Sequence, residues 1–451
     1  KMWRATVRAA LAPTHVVAEA TTRGAWRAAA SSTTAPSRAQ LCPQTSVHAD
    51  EASENFQACS PSTFARQLRR STDAPSALRR RPFAILSAPV SVGRRYQSSS
   101  AGSRGPAVGK SAKRVLKRSN QDLDDWACSS EVHAHVHSRP ACEPYHLSTI
   151  KEYGHGNEPP SGWAIRMVSA AGMKGSGGNP NQDAFSYTFL AHEWIVCVAC
   201  DGHGEEGEVV SERVARVIPL LLSKHLHAMG PEEALKRAFI DAQYDLEQTH
   251  RTQQVFSGAT VATCCIHHEQ HEVWFAYVGD SRMVLGDLSN GQVTYVTEDH
   301  KAHDPREFKR LKAAGAQVIQ KRYEDGDVVS RIFIPRSGVP GLAMSRALGD
   351  GCLKKYGVIA EPDVHNITSL WSTCKAPLVV MASDGLWDTI SCEQVVMALS
   401  ARYHKQLDVQ LGVEVLTRRA QRLWIEAEGD YCDDVTVMLL APQSSLAAPS
   451  T

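Results

Sequence analysis

The sequence predicts an α+β fold built on antiparallel sheets. Strand-like runs follow one another directly instead of alternating strictly with helices, which disfavours a doubly wound parallel sheet. Helical spacing is confined to a few stretches between those runs.

The expected strands are short apolar or alternating runs at residues 163–169, 184–190, 194–200, 260–266, 273–278, 293–297, 378–382 and 435–440. Two helices are read from spacing: Val210, Val214, Val217, Leu221 and Leu222 fall on one face, as do Leu235, Phe239, Ala242 and Leu246 after Pro231, a favoured first-turn proline. Asp304-Pro305-Arg306-Glu307 has an N-cap, a first-turn proline and a capping-box glutamate, and Gly315 can end that helix. Ser391-Cys392-Glu393-Gln394 repeats the capping logic. There is no internal repeat.

Charge divides the chain. Residues 1–110 carry 16 Lys/Arg against 5 Asp/Glu, and the remainder 33 against 43, so a formal +1 conceals +11 beside −10. A mildly acidic body argues against nucleic acid as partner, which needs a clustered basic face. Residues 1–100, rich in Ala, Ser, Thr and Arg, read as a transit peptide or a disordered basic segment. The Arg94-Arg95-Tyr96-Gln97-Ser98 run makes mitochondrial import the expectation, with a plastid or a cytoplasmic and nuclear location as alternatives. Residues 101–145 read as a polar linker, including His133-x-His135-x-His137, which lacks Cys or carboxylate partners at ligand spacing. A catalytic domain is expected over 146–443 and a flexible tail over 444–451. Twelve cysteines without framework spacing predict reduced thiols. No window reaches the roughly 18 apolar residues of a membrane-spanning helix.

Chemistry concentrates in aspartates where a hydrophobic strand meets a turn: Asp183, Asp201, Asp280, Asp384 and the pair Asp433-Asp434. A carboxylate at the end of an apolar strand is costly to desolvate unless paired or metal-bound, so the repetition points to a shared cation site. Carboxylates without a His/Cys ligand set favour Mg²⁺ or Mn²⁺ over zinc. Two such ions can activate a water and clamp phosphoryl oxygens. His203, just beyond Asp201-Gly202, is then placed to protonate a departing alkoxide.

These segments resemble the PPM family, the protein phosphatase 2C type of metal-dependent Ser/Thr phosphatases. The likeness runs in order over roughly 280 residues. It takes in Asp201-Gly202-His203-Gly204, Ser257-Gly258-Ala259-Thr260, Val278-Gly279-Asp280-Ser281-Arg282 and Asp299-His300-Lys301. It continues through Gly341-Leu342-Ala343-Met344-Ser345-Arg346-Ala347-Leu348-Gly349-Asp350, Glu361-Pro362-Asp363 and Ser383-Asp384-Gly385-Leu386-Trp387-Asp388. The resemblance implies a four-layer α-β-β-α sandwich, two central antiparallel sheets flanked by helices, with a dinuclear Mg²⁺ or Mn²⁺ centre at one end. It implies phosphoprotein substrates and a monomer. By the same matching Asp201 bridges the ions, the Gly202 carbonyl binds one, Asp384 and Asp433 complete the other, and Asp183 holds bound waters. Asp280 and Asp388 match a weaker third position, and His203 the general acid.

Two positions depart from the family pattern. Gln182 stands where many members have Glu, so altered metal affinity is expected. Gly178 stands where some have a phosphate-anchoring arginine, and Lys174 is the candidate substitute. Residues 301–340 match the family's variable flap, where Arg331 and Arg336 are candidate contacts to a phosphoprotein. The Gly175-x-Gly177-Gly178 loop has neither nucleotide-binding spacing and is assigned to turn geometry. Cys197 and Cys200, three apart in a strand, face opposite sides, which predicts buried thiols and no redox pair. A rival reading, a pseudophosphatase that binds partners, predicts loss of metal aspartates, and a metal-dependent nuclease would need a basic groove.

Overall fold

The computed structural model describes residues 119–447 except 155–157, 175–179, 192 and 323–327. The basic N-terminal segment, the position Gly178 and residues 448–451 lie outside the described residues. Among the described residues no helix is long and apolar enough to cross a membrane.

The first sheet has eight strands: β1 (Val132–Arg139), β2 (Thr149–Gly154), β4 (Asp183–Leu190), β5 (Trp194–His203), β6 (Gly258–His267), β7 (Glu272–Val278), β13 (Leu348–Gly349) and β14 (Asp363–Asn366). The second has five: β3 (Trp163–Ala170), β8 (Arg282–Asp287), β9 (Gln292–Val296), β15 (Pro377–Ala382) and β16 (Val435–Pro442). Their order is β14-β7-β6-β5-β4-β1-β2 with β13 on β6, and β3-β16-β15-β8-β9, antiparallel throughout. A separate hairpin of β10 (Gln317–Arg322) and β11 (Val328–Phe333), extended by β12 (Pro340–Leu342), forms the flap.

Side chains alternate across a strand, and both faces of the first sheet are covered. Along β5, Ile195, Cys197 and Ala199 enter the core between the sheets with Phe275, Tyr277, Met381 and Met438. Val196, Val198 and Cys200 point the other way, to the helices. This is why the run is apolar without a break, and the two cysteines do face opposite sides. All ten described cysteines are free thiols.

Outside the first sheet lie α2 (Gly207–His225) and α3 (Pro231–Thr249), packed through Val210, Val214, Ile218, Leu235, Phe239 and Leu246. Outside the second lie α6 (Cys392–His404) and α7 (Gly412–Glu428), packed through Val395, Leu399, Leu416 and Ala420. The four-layer sandwich is therefore observed. Pro219 sits inside α2, where it cannot donate to the Ala215 carbonyl. The Ser186 hydroxyl of β4 takes that carbonyl instead, at 2.5 Å, so one missing helix bond becomes a tie between layers.

Three expectations are corrected. The supposed polar linker contains α1 (Asn120–Ala127) and β1, which pairs with β4 inside the first sheet. His135 and His137 are buried in that strand and not solvated. His135 Nδ1 lies 2.8 Å from Thr188 Oγ1, and burial with the charges of its neighbours pushes the two histidines down to about 3 and about 4. Histidines in alternation read as polar, but neutral rings pack among Trp126 and Tyr153. In α4 (Pro305–Ala313), Asp304 caps Arg306 N and Glu307 N as expected, yet Glu307 does not complete a capping box. Its carboxylate is buried against Arg346, Arg310 and Ser345, at 2.7, 2.7 and 2.5 Å, where charged partners outcompete a backbone amide. The tail, finally, begins with a helical turn at Gln443–Leu446.

Both histidines lower stability in acid. Their folded pKa values lie below the ordinary 6.5, so below pH 6.5 the unfolded chain binds protons that the folded one refuses. Stability should fall by up to ~1.4 kcal/mol per pH unit for each ring. In urea unfolding at pH 6.5, 5.8 and 5.0, His135→Phe should flatten the slope by about that amount. Ser186→Ala should cost roughly 1–3 kcal/mol in the same assay, because it leaves the buried Ala215 carbonyl without a donor.

Candidate active site and metal centre

The aspartates converge at one end of the sandwich, contributed by both sheets. Asp183 opens β4 and Asp201 lies near the end of β5, directly opposite it in register. Asp280 follows β7 through Gly279, whose φ of +94° and whose approach to Thr260, 2.6 Å from a Cβ, require glycine. Asp384 begins the short helix α5 (Asp384–Trp387) after β15, and Asp433 stands two residues before β16.

Carboxylate oxygens of Asp201, Asp280 and Asp384 lie within 4.8 Å of one another. Asp433, Asp388, Gly202, His203, Gln182, Lys174 and Lys301 line the same cleft of about 780 Å³. Asp183 sits behind it, nearly fully buried, accepting from Ser383 Oγ at 2.7 Å while its Oδ1 has no partner. The sequence-predicted site residues are thus brought together. Gly202 could not be another residue, since a Cβ there would stand 2.4 Å from the Gly207 carbonyl.

Electrostatics express the crowding. Burial, and then the charges of Asp384, Asp183 and Asp433, push Asp201 well above the carboxylate range. Burial and the charges of Asp433 and Asp388 do the same to Asp384. Asp183 is raised to about 7 by burial and the Asp434 carboxylate. Asp280 goes the other way: burial opposes ionisation, but Lys301, bonded to its Oδ2, holds it below the usual value. Its Oδ1 is unpartnered. Clustered carboxyls with orphaned oxygens are a donor set for a hard divalent cation, whose charge relieves the repulsion.

Sequence reasoning missed several neighbours. Lys301 and Asp350 stand in recognised segments, without an assigned role. His203 Nε2 lies 2.8 Å from Asp350 Oδ2; burial disfavours the imidazolium, but Asp350 outweighs it and raises the pKa. Asp350 adopts a left-handed φ of +49° to reach the ring. Asp434 accepts from Gly172 N, Gln182 N and Lys174 Nζ at 2.6, 3.0 and 2.9 Å, so it clamps loops. Lys174 also reaches Asp433 and is not a solvated loop lysine. Of the two flap arginines, Arg331 lines the cleft with Ile319 and Val329, whereas Arg336 sits at an exposed turn and is not among the lining residues.

Residues 182–423 match the family model described as protein phosphatase 2C. The chain belongs to the protein phosphatase 2C family. It is 30% identical over 361 residues to probable protein phosphatase 2C 12 of Oryza sativa subsp. japonica, an alignment covering 69% of this chain and 90% of that one. It is 34% identical over 257 residues to probable protein phosphatase 2C 64 of the same plant, covering 54% and 58% respectively. The fold is shared with a serine-threonine phosphatase 2C from Toxoplasma gondii, with a TM-score of 0.51, 17% identity and coverage of 67% and 98%. As a member of this family the chain is a metal-dependent protein serine/threonine phosphatase. Lys174, Asp433 and Asp434 stand outside the matched span of the phosphatase model.

Proposed function

We propose that the phosphatase hydrolyses phosphoserine and phosphothreonine of proteins at a dinuclear Mg²⁺ or Mn²⁺ centre held by Asp201, the Gly202 carbonyl, Asp384 and Asp433. Asp183 orders waters around the centre, and Asp280 with Asp388 forms a weaker third position. The observation that carries this reading is the convergence of the Asp201, Asp280 and Asp384 oxygens within 4.8 Å at the floor of an open cleft. When bound, the ions supply an activated water and neutralise phosphoryl oxygens.

The chain's own residues do the rest. His203 protonates the leaving serine or threonine oxygen. Asp350 positions the ring by binding Nε2, while Nδ1 is buried without a partner. Lys174 lines the cleft with its Nζ 2.8 Å from Asp433 Oδ1, and a phosphoryl oxygen is its natural partner once Asp433 is otherwise engaged. The pseudophosphatase reading has no observation in its favour, because every principal aspartate is present in the sequence.

Mn²⁺-dependent phosphate release from a phosphothreonine peptide tests the centre. Asp201→Asn and Asp384→Asn should each lose at least about 10²-fold in kcat. Metal-independent turnover, or full activity in both variants, would sink the reading. For the acid, His203→Ala should lose roughly 10²-fold or more on the peptide and much less on p-nitrophenyl phosphate, whose leaving group needs no proton. Asp350→Asn should show the same leaving-group dependence in milder form. Equal losses on both substrates would assign His203 and Asp350 a structural role only.

A further inference from the structure

Lys174 follows β3 on a segment locked to the one that carries Asp433. Met173 and Cys432 exchange both backbone hydrogen bonds, at 2.7 and 3.0 Å, and Gly172 N donates to Asp434 Oδ1 at 2.6 Å. A Cβ at Gly172 would stand 2.2 Å from the Cys432 carbonyl, so the two segments touch as closely as backbones can. The side chain is thereby delivered to one place. Nζ lies 2.8 Å from Asp433 Oδ1 and 2.9 Å from Asp434 Oδ2, with the side chain only 24% exposed.

Its two partners are not equivalent. Asp434 is buried, absent from the cleft wall, and satisfied by two backbone amides besides the lysine. Asp433 faces the cleft; its Oδ1 accepts from Asp434 N at 2.8 Å besides the lysine, and its other oxygen from Tyr431 OH at 3.1 Å.

We infer that Lys174 is an internal counter-cation, which holds Asp433 in the metal-free enzyme and must yield it to a divalent ion, so that this exchange limits the affinity of the ion. The inference rests on the assignment of Asp433 as a ligand in the proposed centre. An ammonium and a divalent ion compete for the same carboxylate oxygen, and like charges at that spacing repel. Because Asp434 keeps its own hold on Nζ, the lysine gives up one partner without leaving the cleft. Lys174 therefore keeps the metal-free aspartates from repelling one another apart, at the expense of weaker metal binding.

Titration calorimetry of Mn²⁺ into the metal-stripped full chain, without substrate, reads this directly. Lys174→Met, which keeps the stem and loses the charge, should bind Mn²⁺ about tenfold more tightly and unfold at a lower temperature when metal-free. Lys174→Gln should shift affinity the same way, so either neutral variant suffices if circular dichroism shows it folded. Lys174→Arg should stay within about twofold of the wild type, since it retains the charge. Folded neutral variants that bind Mn²⁺ no more tightly than wild type would overturn the inference, even with metal-dependent turnover intact. A wild type that binds no Mn²⁺ would overturn the metal centre and this inference together.

Discussion

Carboxylates crowded into one cleft repel one another, by about 4 kcal/mol for a pair 4 Å apart at an effective dielectric of 20. Asp201, Asp280, Asp384 and Asp433 are forced into that situation by strands of both sheets, with Asp183 behind them. The four layers supply the force. An apolar core between the sheets and two helical covers fix strand ends that the charges alone would drive apart. The residues around the cleft can be understood as partial answers to this repulsion: Lys301 on Asp280, Lys174 on Asp433, and the Ser383 hydroxyl on Asp183. None of them neutralises Asp201, which sits where the charges of both sheets add.

The same logic explains what was legible in the sequence. Strands buried on both faces read as apolar runs, so β4, β5, β6, β7, β15 and β16 were found to within a few residues. Aspartates at the ends of such runs stood out by their repetition, since a single one is also an ordinary turn former. Strands with polar letters were missed. β1 is VHAHVHSR, yet its histidines are neutral and packed against aromatic rings, so their type misrepresents their burial. The flap strands β10 and β11 carry Gln, Lys, Arg and Ser on a surface hairpin, where no core imposes a pattern. Partners far apart in sequence, such as His203 and Asp350, separated by 147 positions, leave no local trace.

Glu307 shows how a correct local motif can still mislead. Asp304-Pro305-x-Glu307 does start a helix, but the glutamate is drawn into a buried cluster with Arg346 and Asp363 that ties the helix beside the flap to the first sheet. Burial opposes ionisation of both carboxyls, but Arg346 and Arg310 hold Glu307, and His300, Arg306 and Arg346 hold Asp363, far below the ordinary range. Local capping is worth about 1 kcal/mol, whereas removing one partner of a buried charged network costs several. Tertiary context wins because the energies differ by that factor.

Gln182 carries the comparison with the family one step further. A neutral amide at this position removes one negative charge beside Asp183, and the sequence alone suggests an altered metal affinity. In the structure the amide donates to the Gly204 carbonyl at 2.9 Å and to Glu208 at 3.1 Å. A glutamate at 182 would present an acceptor to both of these acceptors and a second negative charge to Glu208. The amide is therefore matched to its neighbours, and the carboxylate it bonds, Glu208, lies in the first turn of α2. A negative charge at a helix N-terminus sits where the helix dipole favours it. Gln182 and Lys174 thus act in the same direction, each lowering the negative charge that the central aspartates feel.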